Sequence, residues 1–541
     1  AQGLWETIDT PVSLGLWLRA KYRHFRDITS VKFKPLNYND RVRAGLDYQA
    51  ISVVRKADFL ETGIDRRKAA IDKFWDSERR CAETNSRFDD LMYGSGLKTL
   101  NSEDPTMVRL LFKARTLIEK ILGTDPALVC RYEDARFGPG ATYLVGGGSK
   151  IHLPNKYSHK MAVTPELFLY LPTLLGPRWF SQITEIELRK GNKVGFVNKD
   201  ATIERAIATE PDGNILAQLM IAAGIRRRFD PYVNLEEGAD WNRYLASVAY
   251  DWRLSTVDFS SASDTIARAL VAFLLPEKWW LLLDTARSHQ FLLDGVWHVS
   301  NKFSSMGNGA TFELESIIFY ALARACGSSR ALTTVFGDDV ILETEAFADF
   351  KRLAEFCGFQ VNEEKTFSQS AFYESCGEDY FESHNIRPFF WKQLKTQSVF
   401  KMYNDLKRFA FRYGIPSAGI LAEEELFSRS PPELQECLVP ECLTHKGDFD
   451  ACGFGVPFDR ALPFLKKPKR GFCGMSTKAL MFLPKKERTY GWGGLMATLH
   501  SYGRRETPRM PWLDEPGVVF SESAIRGRGT FSVQKVTVLE W

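Results

Sequence analysis

Two adjacent aspartates, Asp338 and Asp339, have the types and spacing best suited to chemistry in this 541-residue chain. They follow Gly337, and apolar residues flank the tripeptide on both sides within residues 333–342. This pattern predicts a β-hairpin with the acids at its tip. Neighbouring carboxylates repel one another unless a cation or strong donors compensate, and Mg²⁺ prefers such hard oxygen ligands. For the tripeptide alone, an ordinary Gly-Asp turn is an equally good interpretation.

A second acidic element has a short strand pattern that ends at Asp258, and Asp264 follows in the same segment. Asp258 and Asp338 are far apart in the chain, so only the fold can bring them together. Such a pair would form a two-metal site that stabilises the attacking and leaving oxygens of a phosphoryl displacement. Asp264 also fits the N-cap of a helix predicted over residues 265–275, and the two roles are compatible.

Between the acidic elements, a loop rich in Gly and Ser (residues 304–310) precedes a helix predicted over residues 311–325. Its glycines permit close backbone approach, and Ser305 and Asn308 could hydrogen-bond a ribose hydroxyl. A loop that merely caps the helix is the simpler alternative for this segment taken alone.

The elements that must position these residues follow from hydrophobic periodicity. Polar helices are predicted near the N-terminus at residues 66–81 and 107–122, where they serve as scaffold. From residue 255 onwards, short apolar runs alternate with helical patterns, including one at residues 346–357. This alternation predicts an α+β domain.

The net charge of +4 is too small to indicate a nucleic-acid partner by itself, but its distribution is uneven. Residues 466–505 contain ten Lys or Arg residues against the single acid Glu487, and aromatic residues lie between them. Charge and stacking together favour an RNA-tracking surface.

Composition also bounds the class of protein. Pro276, Glu277 and Lys278 interrupt the most apolar stretch, so no membrane span is predicted. The first ten residues do not resemble a signal peptide, which favours a reducing cytosol.

The nine cysteines are scattered and odd in number, as is typical of free thiols. Cys437, Cys442, His445 and Cys452 lie near one another in the chain, but their spacing fits no compact zinc motif. We therefore interpret these cysteines as ordinary thiols.

In their order, the acidic strand, the Ser-Gly-Asn loop and the Gly-Asp-Asp hairpin resemble three palm motifs of viral RNA-directed RNA polymerases. The segments Ser305-Met-Gly-Asn-Gly309 and Thr311-Phe-Glu-Leu-Glu-Ser316 are most similar to the replicase subunits of the leviviruses, the small RNA bacteriophages. The resemblance covers about residues 193–381. Phe336 departs from the Tyr that many relatives carry before Gly-Asp-Asp, which keeps the ring and removes a hydroxyl.

The resemblance implies an α+β right-hand polymerase with fingers, palm and thumb, in which the palm is an antiparallel sheet backed by helices. Residues 1–120 would form an N-terminal helical region that bridges fingers and thumb. Residues 121–245 would be fingers, residues 246–385 the palm with the catalytic motifs, and residues 386–541 the thumb and basic C-terminal region.

The resemblance also implies roles for individual residues. Asp258, Asp338 and Asp339 would be catalytic and would hold two Mg²⁺ ions, with Mn²⁺ as a substitute. Lys365, in a segment similar to the family's Lys-Thr-Phe element, would lie near the leaving pyrophosphate and donate a proton or screen charge.

A basic segment at residues 197–211 resembles the family's finger motif over the incoming triphosphate. Lys199 and Arg205 would face its phosphates, while Asp264, Ser305 and Asn308 would contact the rest of the nucleotide. The nearby run Arg226–Arg228 is interpreted as a solvated helix face.

The implied reaction is attack of a nascent strand's 3′-hydroxyl on the α-phosphate of a templated ribonucleoside triphosphate. It would replicate a viral single-stranded RNA genome in the cytoplasm of an infected bacterial host. Template RNA, nascent RNA and NTPs are the implied partners, with host elongation factors Tu and Ts and ribosomal protein S1; no membrane is involved.

Two other classes of function remain open on the sequence. A reverse transcriptase shares the palm and paired acids, but Asp264, Ser305 and Asn308 favour selection of a ribose hydroxyl. A non-catalytic RNA-binding protein would use the basic C-terminal region and leaves the three ordered motifs unexplained.

Overall fold

Helices and strands are mixed along the chain, which confirms the predicted α+β class. The computed structural model describes residues 1–146, 153–392, 398–415, 421–444, 452–456, 475–484, 496 and 529–538. Within these ranges, no helix is both long enough and apolar enough to cross a membrane.

The N-terminal part is helical, as predicted. Its helices are α1 (Gln2–Ile8), α2 (Pro11–Lys21), α3 (Phe25–Ser30), α4 (Arg41–Ser52), α5 (Arg66–Tyr93), α6 (Gly96–Glu103) and α7 (Pro105–Leu122). Helix α5 runs well beyond the predicted end at residue 81, because no Gly or Pro interrupts the sequence before Gly94. Helix α7 begins after Asp104, whose carboxylate caps it by accepting a hydrogen bond from the Met107 amide at 3.0 Å.

The next part combines short helices with strands that contribute to two sheets. The helices are α8 (Leu153–Lys156), α9 (Pro165–Phe168), α10 (Leu171–Phe180), α11 (Asp212–Phe229) and α12 (Gly238–Trp252), and the strands are β1 (Lys160–Val163), β2 (Glu185–Leu188), β3 (Gly191–Asn198) and β4 (Glu204–Thr209). Strands β1 and β2 pair in parallel, whereas β3 and β4 form an antiparallel hairpin.

Residues 254–385 carry most of the remaining strands. These are β5 (Leu254–Val257), β6 (Phe259–Ser260), β7 (Gln290–Leu293), β8 (Val296–Val299), β9 (Thr334–Phe336), β10 (Asp339–Glu343), β11 (Gln360–Val361), β12 (Phe372–Ser375), β13 (Glu378–Phe381) and β14 (His384–Asn385). The helices here are α13 (Arg268–Leu274), α14 (Glu277–Ala286), α15 (Thr311–Ala325) and α16 (Thr344–Phe356), so the helix predicted at residues 311–325 is confirmed.

A three-stranded antiparallel sheet in the order β5-β10-β9 forms the centre of this part. Successive side chains of a strand point to opposite faces. Accordingly, Val340 and Leu342 pack into the main core with α15 and α16, whereas Ile341 packs with α12 on the other face. Helices on both faces bury the sheet and fix the position of its acidic end.

The described C-terminal elements are α17 (Ser398–Tyr413), α18 (Leu421–Ser428), α19 (Pro432–Gln435), α20 (Glu441–Thr444), β15 (Leu438–Pro440), β16 (Phe454–Val456), β17 (Met475–Pro484) and β18 (Gly529–Val538). Of the basic stretch at residues 466–505, only 475–484 and 496 belong to the described residues, so the predicted RNA-tracking surface lies largely outside them. Cys437 is buried and Cys452 partly buried, and neither forms a disulfide, whereas His445 and the side chain of Cys442 lie outside the described part of the chain.

Candidate active site

The two adjacent aspartates lie at a tight hairpin turn, which confirms that prediction. Phe336 pairs with Asp339, so Gly337 and Asp338 are the two residues of the turn. Gly337 has a φ of 65°, and a Cβ at this position would lie 2.9 Å from Oε1 of Glu315. The turn therefore needs glycine both for its backbone and for the close approach of helix α15.

Asp258 lies directly beside this turn. It follows Val257, which pairs with Val340 in the neighbouring strand β10. Burial and the adjacent carboxylate of Asp258 raise the pKa of Asp338 above its ordinary value. The fold therefore brings together the two acids that are distant in the chain.

The third predicted ligand, Asp339, faces a different partner. Its carboxylate accepts a hydrogen bond from the backbone amide of Cys376 at 3.3 Å. Burial and the charges of Asp338 and Asp258 raise its pKa to about 7. In the described ranges, no group of three or more His, Cys, Asp or Glu side chains is arranged to hold a metal ion. Asp339 is thus tied to the backbone just after β12.

Lys365 and Asn362 both contact Asp258. The Lys365 ammonium lies 3.5 Å from Oδ1 of Asp258, and the Asn362 amide donates to Oδ2 at 2.7 Å. Burial lowers the pKa of Lys365, but the nearby carboxylates of Asp258 and Glu374 outweigh that effect, and the pKa is raised. Asn362 was not predicted as a site residue, because an Asn in a loop carries no signal of its own.

The β3–β4 hairpin brings cations towards the acids. Arg205 lies in β4, and its positive charge opposes the rise in the pKa of Asp338. Loss of hydration and the charges of Lys73 and Arg205 lower the pKa of Lys199, which follows β3. Cations and carboxylates therefore face one another across a single site.

The loop that carries Ser305 and Asn308 is tied to the same hairpin. The Ala208 amide in β4 donates to the Met306 carbonyl at 2.8 Å. Gly307 has a φ of 119°, and a Cβ there would overlap the Ala208 carbonyl. Asn308 accepts a hydrogen bond from the Ala310 amide at 2.9 Å, so its side chain shapes the turn before α15.

The predicted N-cap role of Asp264 is wrong. The helix begins at Arg268 rather than Thr265, and Ala267 is its N-cap residue. Asp264 instead ends a short 3₁₀ turn, and its Oδ1 accepts a hydrogen bond from the Lys302 ammonium at 3.1 Å. A buried cation supplied by the tertiary fold has displaced the local capping interaction.

Two residues of α15 that the sequence did not single out support the Gly-Asp-Asp turn. Ser316 accepts a hydrogen bond from the Gly337 amide at 3.0 Å. Burial and the charge of Asp338 raise the pKa of Glu315 to about 8, and Ser263 donates a hydrogen bond to it at 2.9 Å. Both residues lie on a buried helix face. In the sequence they therefore looked like ordinary core positions, and nothing marked them as functional.

The run Arg226–Arg228 is not simply a solvated face, which corrects that interpretation. Arg226 pairs with Glu313 at 2.5 Å, and Arg227 pairs with Asp134 at 2.5 Å. These arginines connect α11 to neighbouring elements and do not line the acidic site.

Comparisons with known proteins agree on one family. The family model described as RNA replicase, beta-chain matches residues 29–444. The RNA-directed RNA polymerase subunit beta of Enterobacteria phage SP is 34% identical over 361 residues, covering 64% of this chain and 60% of the phage protein. The subunit of the same name from Escherichia virus Qbeta is 32% identical over 378 residues, covering 68% of this chain and 63% of the virus protein. The matched region thus spans less than two thirds of these relatives' length.

Solved structures that resemble the chain include the RNA-dependent RNA polymerase of a human picorbirnavirus. It is 12% identical, with a TM-score of 0.30, over 44% of this chain and 55% of the viral protein.

Proposed function

We propose that this chain, which belongs to the RNA replicase beta-chain family, is an RNA-directed RNA polymerase that copies a viral single-stranded RNA genome. The observation that carries the proposal is the placement of Asp258 beside Asp338, with cationic side chains at the same site. Paired acids of this kind are suited to phosphoryl transfer, and the relatives in phages SP and Qbeta bear the name of that activity.

The proposed architecture is a right hand. Residues 246–385 are the palm, because the β5-β10-β9 sheet within them carries the acids. Residues 121–245 are the fingers, which include the cationic β3–β4 hairpin, and residues 386–541 are the thumb with the basic C-terminal region. Residues 1–120 connect fingers and thumb through their helices.

Asp258 and Asp338 are the proposed metal-binding pair, with Asp339 in support. The donor set fits Mg²⁺, because burial and mutual repulsion make the Asp338 carboxylate costly to ionise without a nearby cation. Two bound Mg²⁺ ions, or Mn²⁺ in their place, would stabilise the attacking and leaving oxygens of the displacement. The Asn362 amide keeps Asp258 oriented towards the turn.

Lys365 is the proposed proton donor to the leaving pyrophosphate. The carboxylates of Asp258 and Glu374 raise its pKa, so it holds its proton near neutral pH. A positioned ammonium can give up that proton as negative charge develops on the departing oxygen. Without proton transfer, the same charge still stabilises the leaving group.

Lys199 and Arg205 are proposed to bind the triphosphate of the incoming nucleotide. Arg205 is exposed and its charge acts on Asp338. Burial lowers the pKa of Lys199, which lies near enough to Arg205 and Lys365 for their charges to lower it further. An arginine can hold two phosphate oxygens at once, and bound phosphate relieves the repulsion between neighbouring cations. Asp264, Ser305 and Asn308 contact the sugar.

The proposed partners are template RNA, nascent RNA and NTPs. The family further suggests host elongation factors Tu and Ts and ribosomal protein S1 as additional subunits, in the cytoplasm of an infected bacterium. A preference for NTPs over dNTPs separates this proposal from a reverse transcriptase.

The test is incorporation of labelled NTPs on an RNA template with Mg²⁺, with and without bacterial elongation factors. The intact chain is compared with Asp338→Asn. Product that disappears in the variant supports the activity and the role of Asp338. Equal activity of the two proteins would refute the metal-site assignment, and inactivity of both with the factors present would favour an RNA-binding protein.

A further inference from the structure

One lysine, Lys302, is buried completely in the protein. Its side chain is 0% exposed, and its ammonium lies 3.4 Å from the centre of the Phe74 ring. Two carboxylates compensate the charge: Asp264 at 3.1 Å and Glu78 at 3.8 Å. Burying a charge is costly, and a buried ion pair contributes little net stability compared with apolar packing. The burial of this charge therefore indicates a role beyond stability.

The backbone fixes Lys302 relative to Asp264. Lys302 forms an isolated antiparallel bridge with Ala267, and the next amide, that of Phe303, donates to the Ile266 carbonyl at 2.7 Å. These two contacts join the segment that carries Lys302 to the one that follows Asp264. The backbone position from which the Lys302 side chain extends is therefore fixed relative to Asp264.

Helix α5 supplies the rest of the Lys302 environment. Phe74 and Glu78 lie on this helix, and Glu78 accepts a hydrogen bond from the Asn301 amide at 2.8 Å. Asn85, on the same helix, donates to the Asn301 carbonyl at 2.8 Å and accepts from the Ala269 amide at 2.8 Å. Helix α5, predicted to be scaffold, thus holds both segments of the cluster in place.

Asp264 is the one member of this charged cluster with an open side. The side chains of Lys302 and Glu78 are 0% and 5% exposed, whereas that of Asp264 is 20% exposed. Because Oδ1 is bound to Lys302, the carboxylate cannot rotate freely, and its open side can accept a hydrogen bond from a ligand.

We propose that Lys302 is a positioning residue that orients Asp264 towards the ribose 2′-hydroxyl and thereby sets the preference for ribonucleotides over deoxyribonucleotides. This inference rests on the proposed polymerase function. A hydroxyl donates to a fixed carboxylate, and a deoxyribose, which lacks that donor, leaves the carboxylate unpaired. Without Lys302, Asp264 can rotate away from the 2′-hydroxyl. The site then discriminates less between ribose and deoxyribose.

The test compares Lys302→Met with the intact chain in templated incorporation, with kcat/KM measured for an NTP and for the matching dNTP. Methionine keeps an unbranched apolar stem against Phe74 and removes the charge. The ratio of the two kcat/KM values is expected to fall roughly tenfold to a hundredfold, the range for losing a hydrogen bond to a charged group. The loss falls on the NTP, while the dNTP value stays nearly constant.

Two further variants separate positioning from general damage. Asp264→Asn alone should lower the ratio similarly, and adding Lys302→Met to it should cause little further loss, because both act through one contact. Arg268→Met removes the ion pair between Arg268 on α13 and Asp89 on α5, and it leaves the contacts of the Asp264 side chain in place. It should leave the ratio unchanged.

Lys302→Met leaves the buried Glu78 without its cation, which threatens folding. The double variant Lys302→Met with Glu78→Gln removes that carboxylate as well and should show the same loss of sugar preference. Folded variants that polymerise NTPs with the intact chain's preference overturn the inference. An intact chain that incorporates no NTP overturns the proposed function instead.

Discussion

Asp258 and Asp264 belong to one short segment, yet the protein surrounds them differently. Asp258 lies among other acids, and its cation, Lys365, is 35% exposed and 3.5 Å away. Asp264 has a completely buried cation, Lys302, at 3.1 Å. The first carboxylate thus lies among other acids with a partly exposed cation, whereas the second is bonded to a closer, buried one.

This difference indicates that the two carboxylates have different functions. An acidic cluster with too little compensation attracts a cation from outside, as a metal site must. A carboxylate bonded to a buried lysine is held in one orientation and can offer its free oxygen to a hydroxyl group. We therefore expect Asp258 to govern whether the reaction occurs and Asp264 to govern which sugar is used.

The largest effect is expected from Asp258→Asn set against Asp264→Asn. The first should lower kcat/KM for NTPs by roughly a thousandfold or more, because it removes a metal-binding charge. The second should lower it far less and mainly alter the ratio of NTP to dNTP use. Single-nucleotide incorporation kinetics measure both.

Asp349→Asn, at an exposed position on α16, is the matched control and should leave activity unchanged. Equal losses of kcat/KM for NTPs in the Asp258 and Asp264 variants would contradict the expected difference between the two carboxylates.

A smaller effect is expected at Lys365, the partly exposed cation beside Asp258. Lys365→Met should lower kcat about a hundredfold and change KM little, because a proton donor acts in the transition state. Lys365→Arg, which keeps the charge, should retain more activity. Lys351→Met, which removes another lysine, is the control; a change in KM alone would assign Lys365 to nucleotide binding.

The burial of Glu315 beside Asp338 also predicts how stability depends on pH. The pKa of Glu315 is about 8 in the fold and 4.5 ordinarily, so its contribution is complete below about pH 4.5 and is lost as pH rises through about 8. With EDTA present, the intact chain should therefore lose stability between about pH 5.5 and about pH 8.5.

Glu315→Gln should reduce that loss by on the order of 2 kcal/mol, measured from urea unfolding at the two pH values. The matched control, Glu345→Gln on α16, removes an exposed carboxyl and should behave like the intact chain. A variant that loses as much stability as the intact chain would show that Glu315 does not account for the loss.

The smallest effect is expected at the loop that carries Ser305 and Asn308. Asn308→Ala removes the hydrogen bond to the Ala310 amide and should raise KM for NTPs about threefold to tenfold, in keeping with one neutral hydrogen bond. Asn385→Ala, in strand β14, is a control remote from the loop. An effect as large as that of Asp264→Asn would mean that the loop, rather than the carboxylate, determines sugar choice.

Local sequence predicted several elements well. Gly337 with its flanking apolar runs indicated the hairpin, and periodicity indicated helix α15 at its observed ends. The helix predicted after Asp264 begins at Arg268 rather than Thr265, because Lys302, from a distant segment, competes for the Asp264 carboxylate. Contacts of this kind leave no periodic signal.

The sequence by itself determined which chemical groups are available: a Gly-Asp-Asp turn, a second acidic strand end and a Gly-rich loop before a helix. Only the tertiary structure decided that Asp258 lies beside Asp338 and that Asp264 is held by Lys302. The first depends on the register of β5 against β10, and the second on α5 packing against the segment before the loop. Both arise from burial and pairing between residues far apart in the chain, which short-range sequence patterns do not encode.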